Sequence, residues 1–321
     1  MQNASRQDDM NFSERLTRVC PVCGSSSENA RRFLEERIDP AKLNEFSFAS
    51  RKEPEFLNYG MVQCELCDVV YVNRPPSQQD LARAYHSADY DSTEEAVDAA
   101  KAYLRQLEPL LETLNKTAAL EIGTGTGAFL EELRAKGFDQ VVGVEPSAAA
   151  IAAAPEYRRA WIKEGIFSGN DYAPESFDFV CCFMTLEHVR EPKEIAESVH
   201  HLLKPGGVFA AVTHDYRSAV NRALGRRSPI IDVEHMQLFS PQSVTMLFRN
   251  AGYSDIKVKP FANRYAMSYW MRLMPISSGI KRQLLRVLRV MHLGDMKMSL
   301  NVGNMIIIGV KPKGSADRFT L

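Results

Sequence analysis

The stretch ALEIGTGTGAFLEEL, residues 119–133, constrains the fold more than any other feature of the chain. It places an apolar strand, a glycine-rich turn and a helical segment in immediate succession. From residue 118 to about residue 312, short apolar segments go on alternating with helical segments. This alternation is typical of a doubly wound parallel sheet. We therefore predict a Rossmann-like α/β domain whose first strand-to-helix turn lies close to a ligand.

The glycine turn fits two cofactor fingerprints. Gly123, Gly125 and Ala128 give the relaxed dinucleotide pattern G-x-G-x-x-A, whereas the residues from Glu121 give E-x-G-x-G-x-G, a pattern that suggests S-adenosylmethionine. An acidic residue before the first glycine favours the second ligand, because S-adenosylmethionine carries an ammonium and a sulfonium and lacks the pyrophosphate that a helix N-terminus would attract. Glu145, at the end of the next strand, would accept the ribose hydroxyls of either cofactor, so it does not discriminate.

Two later segments resemble a known family. ESFDFVCCFMTLEHV, residues 175–189, and HHLLKPGGVFAAVT, residues 200–213, resemble the fourth and fifth strand regions of class I S-adenosylmethionine-dependent methyltransferases. The resemblance covers about residues 85–312. It implies a seven-stranded sheet whose last strand, NMIIIGV, inserts antiparallel, with S-adenosylmethionine as cofactor and S-adenosylhomocysteine as product.

At matching positions, the resemblance implies a role for each part of the cofactor site. The glycine turn would line the methionine part, Glu145 would hold the ribose, and Met184 would lie near the sulfonium. Pro146, Ile166 and Phe167 would flank the adenine. The expected cofactor-binding residues are therefore Glu121, Gly123, Thr124, Gly125, Gly127, Glu145, Pro146, Ile166, Phe167 and Met184.

One position departs from the family pattern. Many relatives have an acidic residue after the third strand that binds the adenine amino group, and here Ile166 takes its place. Adenine recognition would then rest on backbone groups or on a shifted side chain such as Asp171. The alternative for Ile166 and Phe167 is ordinary core packing.

Two CxxC pairs precede the α/β region, Cys20 with Cys23 and Cys64 with Cys67, separated by forty residues. Two such turns facing each other complete a tetrahedral four-sulfur site, so we predict structural Zn²⁺. A four-cysteine iron centre, redox-active pairs and thiols without a metal are the alternatives. Four protein ligands leave no open position, so the metal is not expected to be catalytic.

Composition and boundaries complete the outline. We predict a zinc-ribbon-like module at 1–80, a helical linker or lid at 81–117, and a methyltransferase domain at 118–321 with substrate or lid insertions at 214–240 and 261–303. The N-terminal sequence lacks a secretory signal pattern and no apolar run reaches the roughly 18–20 residues that span a bilayer. We therefore expect a cytoplasmic protein. Its formal net charge of −1 gives no general electrostatic reason to expect nucleic acid as a partner.

Four residues are candidates for proton transfer, which methyl transfer needs only if the acceptor loses a proton. His188 and His214 follow the fourth and fifth strands of the predicted sheet, where substrate loops emerge. Glu234 and His235 precede LFSPQSV in a pattern that resembles zinc-bearing sugar C-methyltransferases, in which the Glu-His pair is associated with acid/base work. A histidine before Phe-Ser-Pro is also widespread in small-molecule O-methyltransferases. We expect His235 with Glu234, or else His188 or His214, to act as base, the alternative being a loop-fixing hydrogen bond.

The acceptor is less constrained. Arg222, Arg226 and Arg227 would suit a phosphate or carboxylate, because arginine offers a bidentate fork, although solvated surface arginines are common. The surrounding sequence also resembles methyltransferases of bacterial polysaccharide and natural-product clusters. We therefore expect a small-molecule acceptor, a sugar or nucleotide-linked sugar. The alternatives are O- or N-methylation of an aromatic or polyketide-like acceptor, and a non-catalytic scaffold that binds S-adenosylmethionine or its demethylated product.

The 261–303 insertion contains a helical stripe of apolar residues with basic residues largely elsewhere. We prefer a lid over the active site or a homodimer face to a membrane-surface helix, because buried amphipathic helices outnumber interfacial ones. Aromatic residues of this insertion are candidates for an acceptor pocket, and two upstream tyrosines are candidates for closing over the cofactor, the more common alternative for those two being core packing. The stripe comprises Leu284, Leu285, Leu288 and Met291, and the aromatic residues are Tyr265, Tyr269 and Trp270, with Tyr85 and Tyr90 upstream.

Overall fold

The computed structural model describes residues 16–44, 46–49 and 55–313, and its centre is a seven-stranded sheet. The N-terminal stretch on which the expected cytoplasmic location rests lies almost wholly outside these residues. In order across the sheet, the strands are β6 (Ile162–Glu164), β5 (Gln140–Glu145), β4 (Ala118–Ile122), β7 (Phe177–Phe183), β8 (Leu203–His214), β11 (Lys297–Val310) and β10 (Ser254–Ala266).

The strand directions confirm the predicted fold class. Strands β6, β5, β4, β7 and β8 pair in parallel, and β11 pairs antiparallel with both β8 and β10. Strands β5 and β6 follow β4 on one side of the sheet, and the chain then crosses to the other side of β4 to form β7 and β8. In open sheets of this kind, ligands bind at the carboxyl ends of the strands beside such a crossing.

Helices cover both faces of the sheet because the central strands are apolar on both sides. Adjacent residues of one strand enter opposite cores: Leu120 packs with the helices at Pro192–Leu202 and Pro241–Asn250, and Ala119 packs with those at Thr93–Leu111 and Ala128–Ala135. Cys181 and Cys182 are divided in the same way and are buried. The helices are α1 (Gln78–His86), α2 (Thr93–Leu111), α3 (Ala128–Ala135), α4 (Ala148–Ala153), α5 (Glu156–Arg159), α6 (Pro192–Leu202), α7 (Ala219–Leu224), α8 (Pro241–Asn250), α9 (Met267–Leu273) and α10 (Ser278–Val290).

Two predicted segments differ in detail. The helical stretch at 81–117 is two helices, since the chain leaves α1 after residue 86 and restarts at Thr93. The insertion at 261–303 is helical only in α9 and α10, because β10 and β11 continue past the sheet as a paired hairpin that includes Tyr265 opposite Met298. Within the described ranges, no helix combines the length and apolar character needed to cross a membrane.

The N-terminal region forms a second sheet, and that sheet crosses the predicted boundary at residue 80. Its strands are β1 (Ala30–Leu34), β2 (Met61–Cys64), β3 (Val70–Val72) and β9 (Gln237–Leu238), in that order. The buried Arg18 strengthens the junction by donating to the carbonyls of Val72 and Met236, each at 3.0 Å. The segment that follows Glu234 and His235 is therefore held by the N-terminal sheet.

Candidate functional site

A cavity of about 490 Å³ opens at the carboxyl ends of β4, β5, β7 and β8. One wall is the glycine turn after β4 with the end of β5, and the opposite wall comes from the connections after β7 and β8. Helices α2 and α9 and the β10–β11 hairpin contribute aromatic and amide side chains. Such a concave surface, mostly apolar with a few polar groups, is typical of a small-molecule site.

Glu121 and Thr124 form the acidic side of the glycine turn. Both are buried, and the Thr124 hydroxyl donates to the Glu121 carboxylate at 2.5 Å. The turn is tied to the next strand because the amides of Gly123 and Thr124 donate to the Val144 carbonyl at 2.9 and 3.1 Å. This arrangement places a carboxyl group at the cavity wall, where it suits a ligand with an ammonium or sulfonium group.

The three glycines of the turn share a positive φ but have different surroundings. Gly123, Gly125 and Gly127 all have positive φ, which favours glycine. A side chain at Gly123 would also overlap Thr185, whereas no atom lies within 4 Å of a Cβ placed at Gly125. Gly127 does not line the cavity, contrary to expectation; it is the N-cap of α3, and a Cβ there would face Ile162 instead.

Glu145 ends β5 and faces the cavity. It is buried, and its carboxylate accepts from the Gly125 amide at 2.7 Å and the Ser147 amide at 2.9 Å. Burial raises the pKa of Glu145, and these two hydrogen bonds oppose that shift without cancelling it. A carboxylate fixed by two amides still has lone pairs for a pair of ligand hydroxyls.

The remaining predicted cofactor residues lie around the same cavity. Pro146, Ile166, Phe167 and Met184 all line it, and Ile166 is 43% exposed, which argues against ordinary core packing for that residue. Met184 has a φ of 51°, a rare conformation for a non-glycine residue, at the point where the chain leaves β7. Asp171 does not line the cavity and pairs with Lys163 at 2.7 Å.

The four predicted acid/base candidates converge on the opposite wall. His188 follows β7, His214 ends β8, and Glu234 and His235 lie in the connection before β9. The rings of His188 and His235 are 4.7 Å apart between centroids, and those of His214 and His235 are 6.0 Å apart. These four side chains, together with Glu187, are of the types that bind a divalent metal as well as those that form an acid/base site.

Hydrogen bonding defines which nitrogen of His235 carries the proton. Its Nδ1 lies 2.8 Å from the Ile230 carbonyl, which only accepts, so Nδ1 carries the proton and the neutral ring keeps a lone pair on Nε2. Burial, together with the charge of His188, lowers the pKa of His235 to about 4. The ring is therefore neutral at physiological pH and is able to accept a proton.

Glu187 was not predicted as a functional residue, although it belongs to the LEHV motif. It is 2% exposed, and its Oε1 lies 3.2 Å from Nδ1 of His214. Burial alone would raise its pKa, but His214 and the neighbouring histidines lower the pKa of Glu187 to about 2. Glu187 therefore places a carboxylate directly beside the ring of His214.

Two amides on the acceptor side were also missed. Asn263 and Asn304 line the cavity from the β10–β11 hairpin, and both are buried. The Asn263 Oδ1 and both side-chain polar atoms of Asn304 have no hydrogen-bond partner among the described residues. Buried polar atoms of this kind usually have a partner, so they indicate a polar ligand. Asparagine has no periodic or spacing signal, which is why the sequence did not single them out.

Aromatic residues complete the cavity, and the predicted arginines lie elsewhere. Tyr85, Tyr90, Tyr265, Tyr269 and Trp270 all contribute to the walls, as expected. Arg222 and Arg226 line a separate groove of about 530 Å³ beside β1. Arg227 lines neither that groove nor the cavity.

The four predicted metal ligands come together in the N-terminal region. The Sγ atoms of Cys20 and Cys67 are 3.4 Å apart, and those of Cys23 and Cys64 are 3.6 Å apart. All four sulfurs lie within 4.8 Å of one another. Tetrahedral Zn²⁺ with bonds of about 2.3 Å requires sulfur separations of roughly 3.8 Å, so the donor set fits that ion, whereas a disulfide requires about 2.05 Å.

The lowered pKa of His235 predicts acid sensitivity. Between pH 6.5 and 4, the unfolded chain binds a proton that the folded chain excludes, so stability present above pH 6.5 is lost as the pH falls. At pH 5 this group alone should cost about 2 kcal/mol. Urea unfolding at pH 7 and pH 5 should show a smaller decrease for His235→Asn than for the wild type. Protonation of the cysteines also lowers stability in acid, but it affects the wild type and His235→Asn equally. The prediction therefore fails if both proteins lose the same free energy of unfolding between pH 7 and pH 5.

Comparison with known proteins was made for sequence and for structure. A family model for a methyltransferase domain matches residues 93–258, more than half of the chain. Ubiquinone biosynthesis O-methyltransferase of Serratia proteamaculans is 31% identical over 109 residues, covering 32% of this chain and 42% of that protein. Sterol 24-C-methyltransferase of Candida albicans is 25% identical over 213 residues, covering 61% of this chain and 56% of that protein. The chain thus spans about half the length of these relatives.

Among solved structures, the chain is similar to a Thermotoga maritima SAM-dependent methyltransferase, possible histamine N-methyltransferase. The TM-score is 0.46 at 21% sequence identity, and the match covers 68% of this chain and 92% of that one.

Proposed function

The chain belongs to the methyltransferase-domain family, and from that premise we propose that it transfers the methyl group of S-adenosylmethionine to a small-molecule acceptor. The observation that carries the proposal is one cavity with two chemically different walls. Buried carboxylates on a glycine turn form one wall, and three histidines from separate segments form the other. A binding scaffold would have no use for the second wall.

The residues of the turn suit S-adenosylmethionine better than a dinucleotide. Glu121, fixed by Thr124, would attract the ammonium of the methionine part, and Glu145 would accept the ribose hydroxyls. Ile166 and Phe167 would contact the adenine, with Met184 close to the sulfonium. When bound, the cofactor supplies an electrophilic methyl carbon that needs no further activation.

The opposite wall would receive the acceptor's proton. His235 has a lone pair on Nε2 and is neutral, so it would take the proton as the acceptor atom bonds to the methyl carbon and the carbon–sulfur bond breaks. Glu187 and His214 form a second pair that would stabilise the positive charge that develops. Tyr85 positions this wall because its hydroxyl donates to the Glu234 carbonyl at 3.1 Å.

The polar groups of the acceptor side favour a substrate with several hydroxyls. Asn263 offers an amide oxygen, and Asn304 offers both of its side-chain polar atoms, without a hydrogen-bond partner among the described residues. Tyr265, Tyr269 and Trp270 provide flat apolar surfaces beside them. A sugar or nucleotide-linked sugar matches that combination. If an anionic carrier is attached, Arg222 and Arg226 in the neighbouring groove would contact it.

A second candidate is O-methylation of an aromatic acceptor. The aromatic walls would stack with a planar ring, and the Serratia relative carries the name of an O-methyltransferase of ubiquinone biosynthesis. Mass spectrometry of the methylated product would distinguish the two candidate reactions, because they differ in the atom that becomes methylated.

The four cysteines would hold structural Zn²⁺, and the ion would take no part in methyl transfer because the protein fills every ligand position. A cytoplasmic, reducing location belongs to the same proposal, since thiolates and not disulfides are needed there.

Calorimetry with two glycine variants tests the cofactor assignment. We expect the wild type to bind S-adenosylmethionine and not NAD. Gly123→Ala should weaken this binding by at least about tenfold, since the new methyl group both overlaps Thr185 and is strained at φ 75°. Gly127→Ala is the matched control, because Gly127 has a similar positive φ in the same turn but does not line the cavity.

A double variant, Gly123→Ala with Thr185→Ala, should recover part of the binding because it removes the overlapping hydroxyl. Binding of NAD by the wild type, with no binding of S-adenosylmethionine or its product, would refute the assignment.

A further inference from the structure

Exposed apolar side chains concentrate in one segment of the molecule. Of the fifteen large apolar side chains that are exposed among the described residues, eight lie between residues 274 and 298. Their exposures range from 38% to 74%. Scattered exposed apolar residues are ordinary, but a contiguous group marks an interaction surface. The eight are Met274, Ile280, Leu284, Val287, Val290, Met291, Met296 and Met298.

Helix α10 carries the centre of this surface. Ile280, Leu284, Val287 and Met291 are spaced at i, i+4, i+7 and i+11, so they form one stripe along the helix. All four are exposed, whereas Leu288, on a different side, is buried. The predicted apolar stripe is therefore divided, and only part of it packs against the protein.

Helix α10 lies outside the cavity, whereas the sequence favoured a lid or a homodimer face for the insertion as a whole. Residues of α9, including Tyr269 and Trp270, line the cavity, and no residue of α10 does. Helix α10 packs on α9 from outside. Its exposed stripe therefore faces away from the substrate and has no partner within the described chain.

The charge around the stripe is one-sided. Residues 272–294 contain five lysines and arginines and no aspartate or glutamate, although the formal net charge of the whole chain is −1, and Asp295 is the next acidic residue along the chain. Arg282, Arg286 and Arg289 are exposed on α10 and form no ion pair among the described residues. A helix with an apolar stripe and a basic polar side has the composition of a helix that lies in a membrane interface.

We propose that α10 docks on an anionic lipid surface, with Ile280, Leu284, Val287 and Met291 entering the interface. The three arginines would reach the anionic headgroups with their charged ends, since long basic side chains extend from a helix toward the headgroup region. The exposed methionines of the adjacent hairpin, Met296 and Met298, would widen the contact. Because α9 connects α10 to the cavity wall, docking would hold the acceptor side of the cavity near the lipid surface.

Vesicle binding by the full zinc-loaded chain tests the proposal. We expect binding to phosphatidylcholine vesicles that contain phosphatidylglycerol, weaker binding to phosphatidylcholine alone, and a decrease as salt is added. Val287→Glu should lower the apparent partition coefficient by at least about tenfold, because it removes an inserted apolar group. Ser278→Glu is the matched control: it adds the same charge to the same helix, away from the stripe, and should have a much smaller effect.

Circular dichroism would establish that both variants fold. If Val287→Glu does not fold, Met291→Glu provides a second substitution at an exposed position of the stripe. Absence of binding to anionic vesicles at low salt would overturn the proposal. Equal effects of Val287→Glu and Ser278→Glu would also overturn it, since the apolar stripe would then contribute nothing. A second copy of the chain could cover this surface instead of lipid. That assignment would follow if the wild type does not bind vesicles, sedimentation velocity shows that it is a dimer, and Val287→Glu dissociates the dimer.

Discussion

Replacing His235 with asparagine is expected to lower kcat by about 10²–10⁴-fold while leaving the affinity for S-adenosylmethionine within about twofold of the wild type. The imidazole Nε2 is the acceptor of the proton in the proposed reaction, and asparagine has no group that accepts a proton at neutral pH. Asparagine is polar and smaller, so it leaves the Ile230 carbonyl accessible to a donor. Turnover with the natural or a surrogate acceptor and calorimetry with the cofactor would be measured on the same preparation.

The neighbouring histidines supply the comparison. His188→Asn should have a smaller effect, because its Nδ1 is 3.3 Å from the Glu234 carbonyl and its ring supports His235. His214→Asn should weaken the charge stabilisation by Glu187 and give an intermediate loss. Unchanged turnover in His235→Asn with a large loss in His214→Asn would move the base to His214. A double variant, His188→Ala with His235→Ala, tests whether the protein is a non-catalytic scaffold. If it binds the cofactor normally and its biological output is unchanged, the scaffold hypothesis is favoured.

Metal analysis of the same variants separates acid/base chemistry from a second metal site. The acid/base proposal predicts one zinc ion per chain in the wild type and in His235→Asn. A second metal equivalent that disappears in His235→Asn would show that Glu187, His214 and His235 bind a cation.

Removal of the zinc site is expected to have the largest effect on stability. Cys64→Ala should abolish zinc binding and lower the free energy of unfolding by more than about 4 kcal/mol, because a structural metal stabilises the fold directly. Cys181→Ala is the matched control: it also removes a buried sulfur, from a strand that holds no metal, and should cost about 1 kcal/mol. Elemental analysis and urea unfolding would be measured on protein purified without chelator.

The zinc variant should also lose turnover before it loses cofactor binding. Strand β9 pairs with β3, so the N-terminal sheet holds the chain directly after Glu234 and His235. The glycine turn belongs to the other sheet and does not depend on that pairing. Absence of stoichiometric zinc in the wild type, or equal stability losses in Cys64→Ala and Cys181→Ala, would contradict the assignment.

Local patterns predicted the fold well. The apolar strands around Leu120 and Val180, and the glycine turn at Gly123, were identified because their spacing depends only on neighbouring residues. The two CxxC pairs were identified for the same reason, since a metal knuckle is a local turn with fixed ligand spacing. Gly127 shares the glycine pattern but begins α3 and does not line the cavity, because such a pattern does not reveal whether a glycine faces the cavity or begins a helix.

The acid/base wall was predicted only as separate candidates. His188, His214 and His235 lie on three segments, and the sequence offered no measure of the distances between them. Glu187 acquired a role only when burial and the 3.2 Å separation from His214 became known. Asn263 and Asn304 required the cavity itself, because an unpartnered amide is visible only when its surroundings are known.

The sequence by itself determined the parallel sheet, the methyl-donor fingerprint and the paired thiols, because each arises from chemistry repeated over a few adjacent residues. The tertiary structure alone decided that Gln237–Leu238 joins the N-terminal sheet, that three distant histidines share one wall, and that α10 faces outward. These features depend on how segments far apart in the chain pack together. Packing is set by the sum of many weak contacts, which no short pattern records.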